Sequence, residues 1–154
     1  MNEGAPGVYF EDLWVGRTFS SSTYTVSADE IRAFAKQFDP QPFHVDEAAA
    51  RASIFGGIIA SGWYTAAVTM RLAVQGGLPV ARGTIGVSAD IQWPNPVRPG
   101  DVLGLESEIL QRRELHSRPD RGMITVRSAT RNGSGATVQL MTAKLLVMRR
   151  DARS

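Results

Sequence analysis

Residues 39–62 read DPQPFHVDEAAARASIFGGIIASG, and we expect the rest of the chain to be organised around this stretch. It contains an acid, Asp39, and a histidine, His44, on either side of two prolines that are expected to stiffen a loop. Proline disfavours helical backbone at the residue before it, so a helix that precedes this stretch has to end at Asp39. The stretch closes on small residues, around which a long apolar helix is predicted to begin.

A short helix is predicted on each side of this loop. Ser27 and Glu30 form the pattern of a capping box, in which each side chain meets a backbone N–H of the other residue. Apolar residues follow at helical spacing, which predicts a helix over 28–38. Asp46 is a good N-cap for a second, alanine-rich helix over 47–53, and for Asp46 we favour this capping role over catalysis.

The longest apolar run covers residues 58–75, with Arg71 as its only charge and two glycines after it as a stop. A helix that is apolar on every side is typical of a helix that is buried on every side, so a central helix is predicted here. A membrane span needs about 20 apolar residues, and serine, threonine, arginine and glutamine interrupt this run. We therefore expect no membrane partner.

After Pro79 the pattern changes to that of strands. Strand-like runs cover 84–93, 101–113, 122–131 and 136–149, and an earlier run covers 17–26. The last four are joined by connections too short for crossover helices, which predicts antiparallel neighbours, and the last run is apolar on both faces, as in an inner strand. One buried helix with about five strands is an α+β fold whose sheet wraps around the helix. Its exposed edges predict a homodimer or larger homo-oligomer.

The bulk composition limits the domain count and the partners. The 154 residues, 43% of them hydrophobic, suit a single domain over 1–154 with a core of about 8–149. A net charge of +2 is too small for a nucleic-acid partner. With no cysteine and only two histidines, far apart, we expect no metal and no cofactor. The N-terminal MNEGAPG lacks the pattern of an export signal, so a cytoplasmic location is expected.

Asp39 and His44 are the candidate catalytic residues. They lie five residues apart, so their side chains can converge on one small molecule such as water, from which a carboxylate removes a proton and to which an imidazole can deliver one. The start of the central helix near Ser61 and Gly62 offers free N–H groups and a positive dipole end, which can stabilise the oxygen of a polarised carbonyl. Gly62 has no side chain to block such an approach.

A structural role is the competing interpretation of these residues. An acid and a histidine also occur together in structural networks, and the spacing alone leaves both roles open for Asp39 and His44. Trp63 fits either core packing or a pocket wall. Ser61 has no second histidine or acid placed to activate it, which argues against a serine nucleophile.

Three segments in order carry a resemblance to a known family: DPQPFHVD at 39–46, FGGIIASG at 55–62 and WPNPVRPGD at 93–101. They resemble the MaoC-like acyl dehydratases, which include the R-specific enoyl-CoA hydratases of the hotdog fold. The resemblance covers about residues 8–149. It implies a hotdog fold, with an antiparallel sheet wrapped around a long helix, and an acyl-CoA thioester as substrate.

The family's motif D-x-N-P-x-H maps onto Asp39 and His44. The resemblance implies that these residues hold one water, with Asp39 as general base and His44 helping to deliver the proton to the α-carbon of a trans-2-enoyl thioester. It also implies that the N–H of Gly62 binds the thioester carbonyl oxygen. Gln41 replaces the usual Asn, and Ser61 replaces the usual His before the glycine. These departures are expected to mark either a different acyl group or a loss of hydratase activity.

Hydration or dehydration of an acyl-CoA is therefore the predicted function, with Gly62, Ser61, Gln41 and Trp63 as the expected substrate-binding residues. Two alternatives stay open. A hotdog thioesterase would use a carboxylate to activate water against the carbonyl carbon, without the need for a paired histidine. A subunit that binds acyl thioesters without turnover is the second alternative.

Overall fold

The computed structural model describes residues 7–151, and its strands form one five-stranded antiparallel sheet in the order β1-β3-β4-β5-β2. The main elements are β1 (Thr18–Thr25), α1 (Ala28–Phe38), α2 (Pro42–Val45), α3 (Glu47–Ala52), α4 (Gly62–Leu72), β2 (Thr84–Gln92), β3 (Val102–Glu114), β4 (Arg121–Arg131) and β5 (Thr137–Met148). A π-helical turn, Ala73–Gly77, continues α4. Met1–Pro6, most of the stretch used to predict no export signal, lies outside the described residues.

The helix α4 packs against one face of the sheet. Val68 and Leu72 of α4 lie in a buried cluster with Leu103 and Leu105 of β3 and with Val138 of β5. A second buried cluster lies beside it and joins the N-terminal segment to the other end of β3, β4 and β5. Helix on antiparallel sheet is the α+β arrangement that the sequence predicts, and the antiparallel pairing is confirmed.

The strand β5 lies between β4 and β2, as predicted for an inner strand. Its pairing with β4 shifts register, because Thr130 pairs with Gln139 while Arg131 pairs with Thr137, and Val138 is left in a bulge. Alternation along a strand would send one of two consecutive residues outward, yet Val138 and Gln139 are both fully buried. The bulge turns both side chains toward the interior, close to the site described below.

The central helix begins at Gly62, close to the predicted start near Ser61 and Gly62, and not at the head of the apolar run. The N–H of Ala60 donates to the carbonyl of Val97 (2.8 Å), and residues 58–61 are not helical. The predicted burial on every side is wrong, because six residues of the run are exposed: Trp63, Ala67, Met70, Arg71, Val74 and Gln75. No helix within residues 7–151 is long and apolar enough to cross a membrane.

The segment around the prolines is more helical than expected. Residues 42–45 form one helical turn instead of a loop, with Pro42 at the first position, where a missing N–H costs no hydrogen bond. Asp46 caps α3 as predicted, by accepting from the N–H of Ala49 (2.9 Å), and α3 ends one residue earlier than expected, at Ala52.

Only half of the predicted capping box is present in α1. The Ser27 hydroxyl accepts from the N–H of Glu30 (3.1 Å), as expected. The Glu30 carboxylate does not return to the N-cap. It accepts from the hydroxyls of Tyr24 (2.5 Å) and Tyr64 (2.9 Å), and it thereby links α1 to β1 and to the first turn of α4.

Candidate active site

A cavity of about 440 Å³ opens at the N-terminal end of α4. Five of the six predicted site residues line it: Asp39, Gln41, His44, Gly62 and Trp63. The sixth, Ser61, is fully buried directly before Gly62. The structure therefore brings the two ends of the 39–62 stretch together around one space.

Asp39 and His44 face each other in this cavity. The distance between Oδ2 of Asp39 and Nε2 of His44 is 3.3 Å, and His44 is almost fully buried. The other ring nitrogen, Nδ1, lies 2.6 Å from the carbonyl oxygen of Ile59. Because a carbonyl only accepts hydrogen bonds, Nδ1 carries the hydrogen of the neutral ring. Neutral His44 therefore presents an unprotonated Nε2 beside the Asp39 carboxylate.

Polar neighbours keep the Asp39 carboxylate ionised. Gln41 donates from Nε2 to Oδ1 of Asp39 at 2.7 Å. Burial raises the pKa of Asp39, but hydrogen bonds from Ser61 and Gln41 outweigh burial and hold the pKa below its ordinary value of 3.8. At neutral pH this carboxylate is therefore unprotonated, as a general base has to be.

The N-terminus of α4 supplies a free donor beside this pair. Ser61 is the N-cap, and its hydroxyl accepts from the N–H of Trp63 (3.2 Å). Within residues 7–151, no hydrogen bond uses the N–H of Gly62, which belongs to the cavity wall. A first-turn N–H that bears the positive end of the helix dipole suits the binding of a carbonyl oxygen or another anionic oxygen.

Trp93, which follows β2, forms a wall that sequence reasoning missed. A Cβ on Gly62 would lie 2.7 Å from the nearest ring carbon of Trp93, so the indole is in direct contact with the start of α4. Its Nε1–H donates to Oε1 of Gln139 (2.9 Å). The next four residues, 94–97, also line the cavity. The only signal in the sequence was their proline-rich pattern, which served for the resemblance but not for the site.

Groups that could hold a metal ion need at least three converging ligands. Among residues 7–151, no three His, Cys, Asp or Glu side chains gather in this way. The arrangement described above can perform acid–base chemistry with Asp39 and His44 and can stabilise a negative oxygen at Gly62.

Comparison with known proteins defines the class. The family described as MaoC like domain matches residues 14–132. A crystal structure of a MaoC-like dehydratase from Rhodospirillum rubrum is 54% identical, with a TM-score of 0.90, over 94% of this chain and 99% of that one. An uncharacterized Bacillus subtilis protein, YdeM, is 34% identical over 79% of this chain and 86% of its own. A 3-hydroxybutyryl-CoA dehydratase from Methylorubrum extorquens is 33% identical over 68% of this chain and 65% of its own.

These matches and the five-stranded sheet packed against α4 establish the hotdog fold, as the sequence predicted. The chain belongs to the MaoC-like dehydratase family, because the family match extends over most of its length. The resemblance stated from the three sequence segments is thereby confirmed.

Proposed function

We propose that this protein adds water to a trans-2-enoyl thioester of CoA and removes water from the corresponding 3-hydroxyacyl thioester. The observation that carries the proposal is the position of Asp39 and His44 in one cavity with the free N–H of Gly62. A base, a proton carrier and a donor to the carbonyl oxygen are the groups that this reaction needs. The name of the M. extorquens relative, a 3-hydroxybutyryl-CoA dehydratase, supports the same chemistry.

Two acceptors would orient the attacking water. Gln41 occupies Oδ1 of Asp39, and Nδ1 of His44 is used by a backbone carbonyl. Oδ2 of Asp39 and Nε2 of His44 are the atoms left to accept. A water that donates one hydrogen to each has its lone pairs directed away from both, toward C3 of a bound enoyl group. Its oxygen is then positioned as the nucleophile.

The proton and electron balance follows from this position. As the water oxygen bonds to C3, Asp39 takes one proton, and the electrons of the C2–C3 double bond move toward the thioester carbonyl. The resulting enolate oxygen accepts from the N–H of Gly62. The proton held by Asp39 then passes to Nε2 of His44, 3.3 Å away, and from there to C2, which gives the 3-hydroxyacyl thioester and restores both side chains. Dehydration is the same sequence in reverse.

We further propose supporting roles for the other predicted residues. Gln41 and Ser61 fix the orientation of the Asp39 carboxylate through the contacts given above. Trp63 lines the open side of the cavity and would pack beside the thioester.

The decisive experiment is a spectrophotometric assay at the absorbance of the enoyl thioester. Short, medium and branched trans-2-enoyl-CoAs are offered to the wild type and to Asp39→Asn. We expect hydration of at least one substrate by the wild type and a loss of about 10²–10⁴-fold in the variant, the usual contribution of an acid–base group. If no substrate is hydrated and the wild type gives the same result as Asp39→Asn, the proposal is wrong.

The thioesterase alternative uses the same cavity and is separated by His44→Ala. A thioesterase that relies on Asp39 alone keeps much of its rate of thioester hydrolysis in this variant. A hydratase loses about 10²–10⁴-fold. Binding of CoA thioesters without turnover of any enoyl, hydroxyacyl or acyl form would instead favour a non-catalytic subunit.

We also propose that two copies pair through β2. This strand is at one end of the sheet, and most of its residues are exposed, including Ile85 and Val87 at about half of their surface. An unpaired edge with apolar side chains is a surface for strand pairing. Light scattering should give a mass of twice the 16.7 kDa of one chain, and a mass of 16.7 kDa at micromolar concentration would contradict the pairing.

A further inference from the structure

Trp93 is fixed by contacts from two elements. Its Nε1–H donates to Oε1 of Gln139 on β5, and Gln139 has no exposed surface. On α4, Gly62 lies against its ring carbons, and Trp63 packs against it edge to face, with ring centroids 5.2 Å apart. These contacts restrict the indole although 41% of the residue is exposed. Trp93 is also one of the residues that line the cavity.

The cavity borders the first residues of α4. The residues of this helix that line it are Gly62, Trp63 and Thr65, and Val138 lines it on the sheet side. Thr65 is 2% exposed and Val138 is 0% exposed, so the packed interior begins directly behind them. Thr65 follows Gly62 by three residues, which corresponds to about 4.5 Å along the helix axis.

This depth limits the length of an acyl chain. An extended chain advances about 3.5 Å per three bonds, or about 1.2 Å per bond. A chain whose carbonyl oxygen lies at the N–H of Gly62, and which runs along α4, therefore has room for about four bonds before Thr65 and Val138. Trp93, in contact with Gly62, is part of the wall beside this space.

We propose that Trp93 is a specificity-determining residue and that Gln139 positions it, so that the site accepts acyl groups of about four to six carbons. The inference rests on the proposed function for the identity of the thioester. It goes beyond that function because it names the acyl group and the two residues that select it.

Binding of saturated acyl-CoAs tests the inference without the hydration step, because these thioesters lack the double bond. Calorimetry should show butyryl-CoA bound at least about ten-fold more tightly than octanoyl-CoA by the wild type, since a single misplaced methylene already costs about 10–200-fold. In Trp93→Ala this ratio should fall toward one. Trp14→Ala is the matched control, because Trp14 is exposed and lies outside the cavity, and its ratio should equal that of the wild type.

Gln139 is tested in two backgrounds. Gln139→Leu removes the acceptor of the indole N–H and keeps a side chain of similar size. We expect it to lower the ratio of butyryl to octanoyl affinity when Trp93 is present. In the Trp93→Phe background the ring has no N–H, so the same change should leave the ratio unaltered. An equal effect in both backgrounds would show that Gln139 does not act through Trp93.

The outcomes separate this inference from the proposed function. If octanoyl-CoA binds to the wild type as tightly as butyryl-CoA, or if neither binds, the inference is overturned, whatever the hydration assay gives. If butyryl-CoA is preferred but no enoyl-CoA is hydrated, the proposed function fails and the inference stands. Circular dichroism checks the fold of each variant, and Trp93→Leu replaces Trp93→Ala if the alanine variant does not fold.

Discussion

Replacing Gly62 with alanine tests the contact between α4 and Trp93. The added Cβ would lie 2.7, 2.8 and 2.9 Å from three ring carbons of Trp93. Ordinary contacts of a Cβ begin at 3.4 Å, so the ring or the helix has to move by the 0.7 Å difference from 2.7 Å. The contact with Gln139 opposes a movement of the ring, and the packing of α4 on the sheet opposes a movement of the helix.

Two effects on the free energy of unfolding oppose each other in Gly62→Ala. Alanine is favoured over glycine in a helix by up to about 1 kcal/mol. Overpacking costs about 1–3 kcal/mol, and we expect it to win, with a net loss of about 1–2 kcal/mol. Activity should fall further, because the N–H that we propose to bind the carbonyl is displaced. A misplacement of about 1 Å costs about 10²-fold, so kcat for crotonyl-CoA should fall by about 10- to 100-fold.

The assays are urea unfolding and the initial rate at the enoyl-thioester absorbance. Gly57→Ala is the matched control, because its Cβ would meet only Nη1 of Arg98 at 3.8 Å, an ordinary contact, and Gly57 does not have a positive φ. It should retain wild-type stability and rate. If Gly62→Ala proves as stable and as active as Gly57→Ala, the reasoning is refuted. If Gly62→Ala destabilises Trp93→Ala as much as it destabilises the wild type, Trp93 is not the obstacle to the added Cβ.

Three further predictions concern stability and pH. Glu30→Ala removes the acceptor shared by Tyr24 and Tyr64, and because Glu30 is exposed we expect a loss of only about 1–2 kcal/mol in urea unfolding. Asp46→Ala removes the cap of α3 and should cost about 1 kcal/mol, whereas Asp46→Asn should cost little. Folding lowers the pKa of Asp39, so ionised Asp39 stabilises the folded protein, and this contribution is complete at pH values above the ordinary pKa of 3.8. The stability of the wild type relative to Asp39→Asn should therefore be greatest at pH 7. It should be lost as the pH falls through the lowered pKa.

Local chemistry was enough to predict the elements. The Ser27 cap and Pro40 bound α1 at the predicted residues, Ala28–Phe38. All five strands lie within one residue of their predicted ends, because glycine, proline and asparagine mark each turn. These signals act over a few residues and are therefore visible in the sequence itself.

Contacts between distant parts of the chain were not predictable in this way. Residues 58–61 belong to the same apolar run as the helix after them, and the bond that holds them out of the helix joins Ala60 to Val97, 37 positions later. The wall formed by Trp93 depends on the bulge that buries Gln139, and nothing near Trp93 in the sequence indicates that bulge. Asp39 and His44 were predictable because five residues of chain already place them close together.

The two departures from the family motif, Gln41 and Ser61, both interact with Asp39, the proposed base. Gln41 donates to Asp39 at 2.7 Å, and a side chain one methylene shorter in the same position would leave its amide more than 1 Å farther away. Ser61 lowers the pKa of the same carboxylate and also caps α4. Both residues therefore adjust the carboxylate that we propose as the proton acceptor. We infer that the length of the acyl chain depends instead on Trp93 and on the residues that close the cavity behind it.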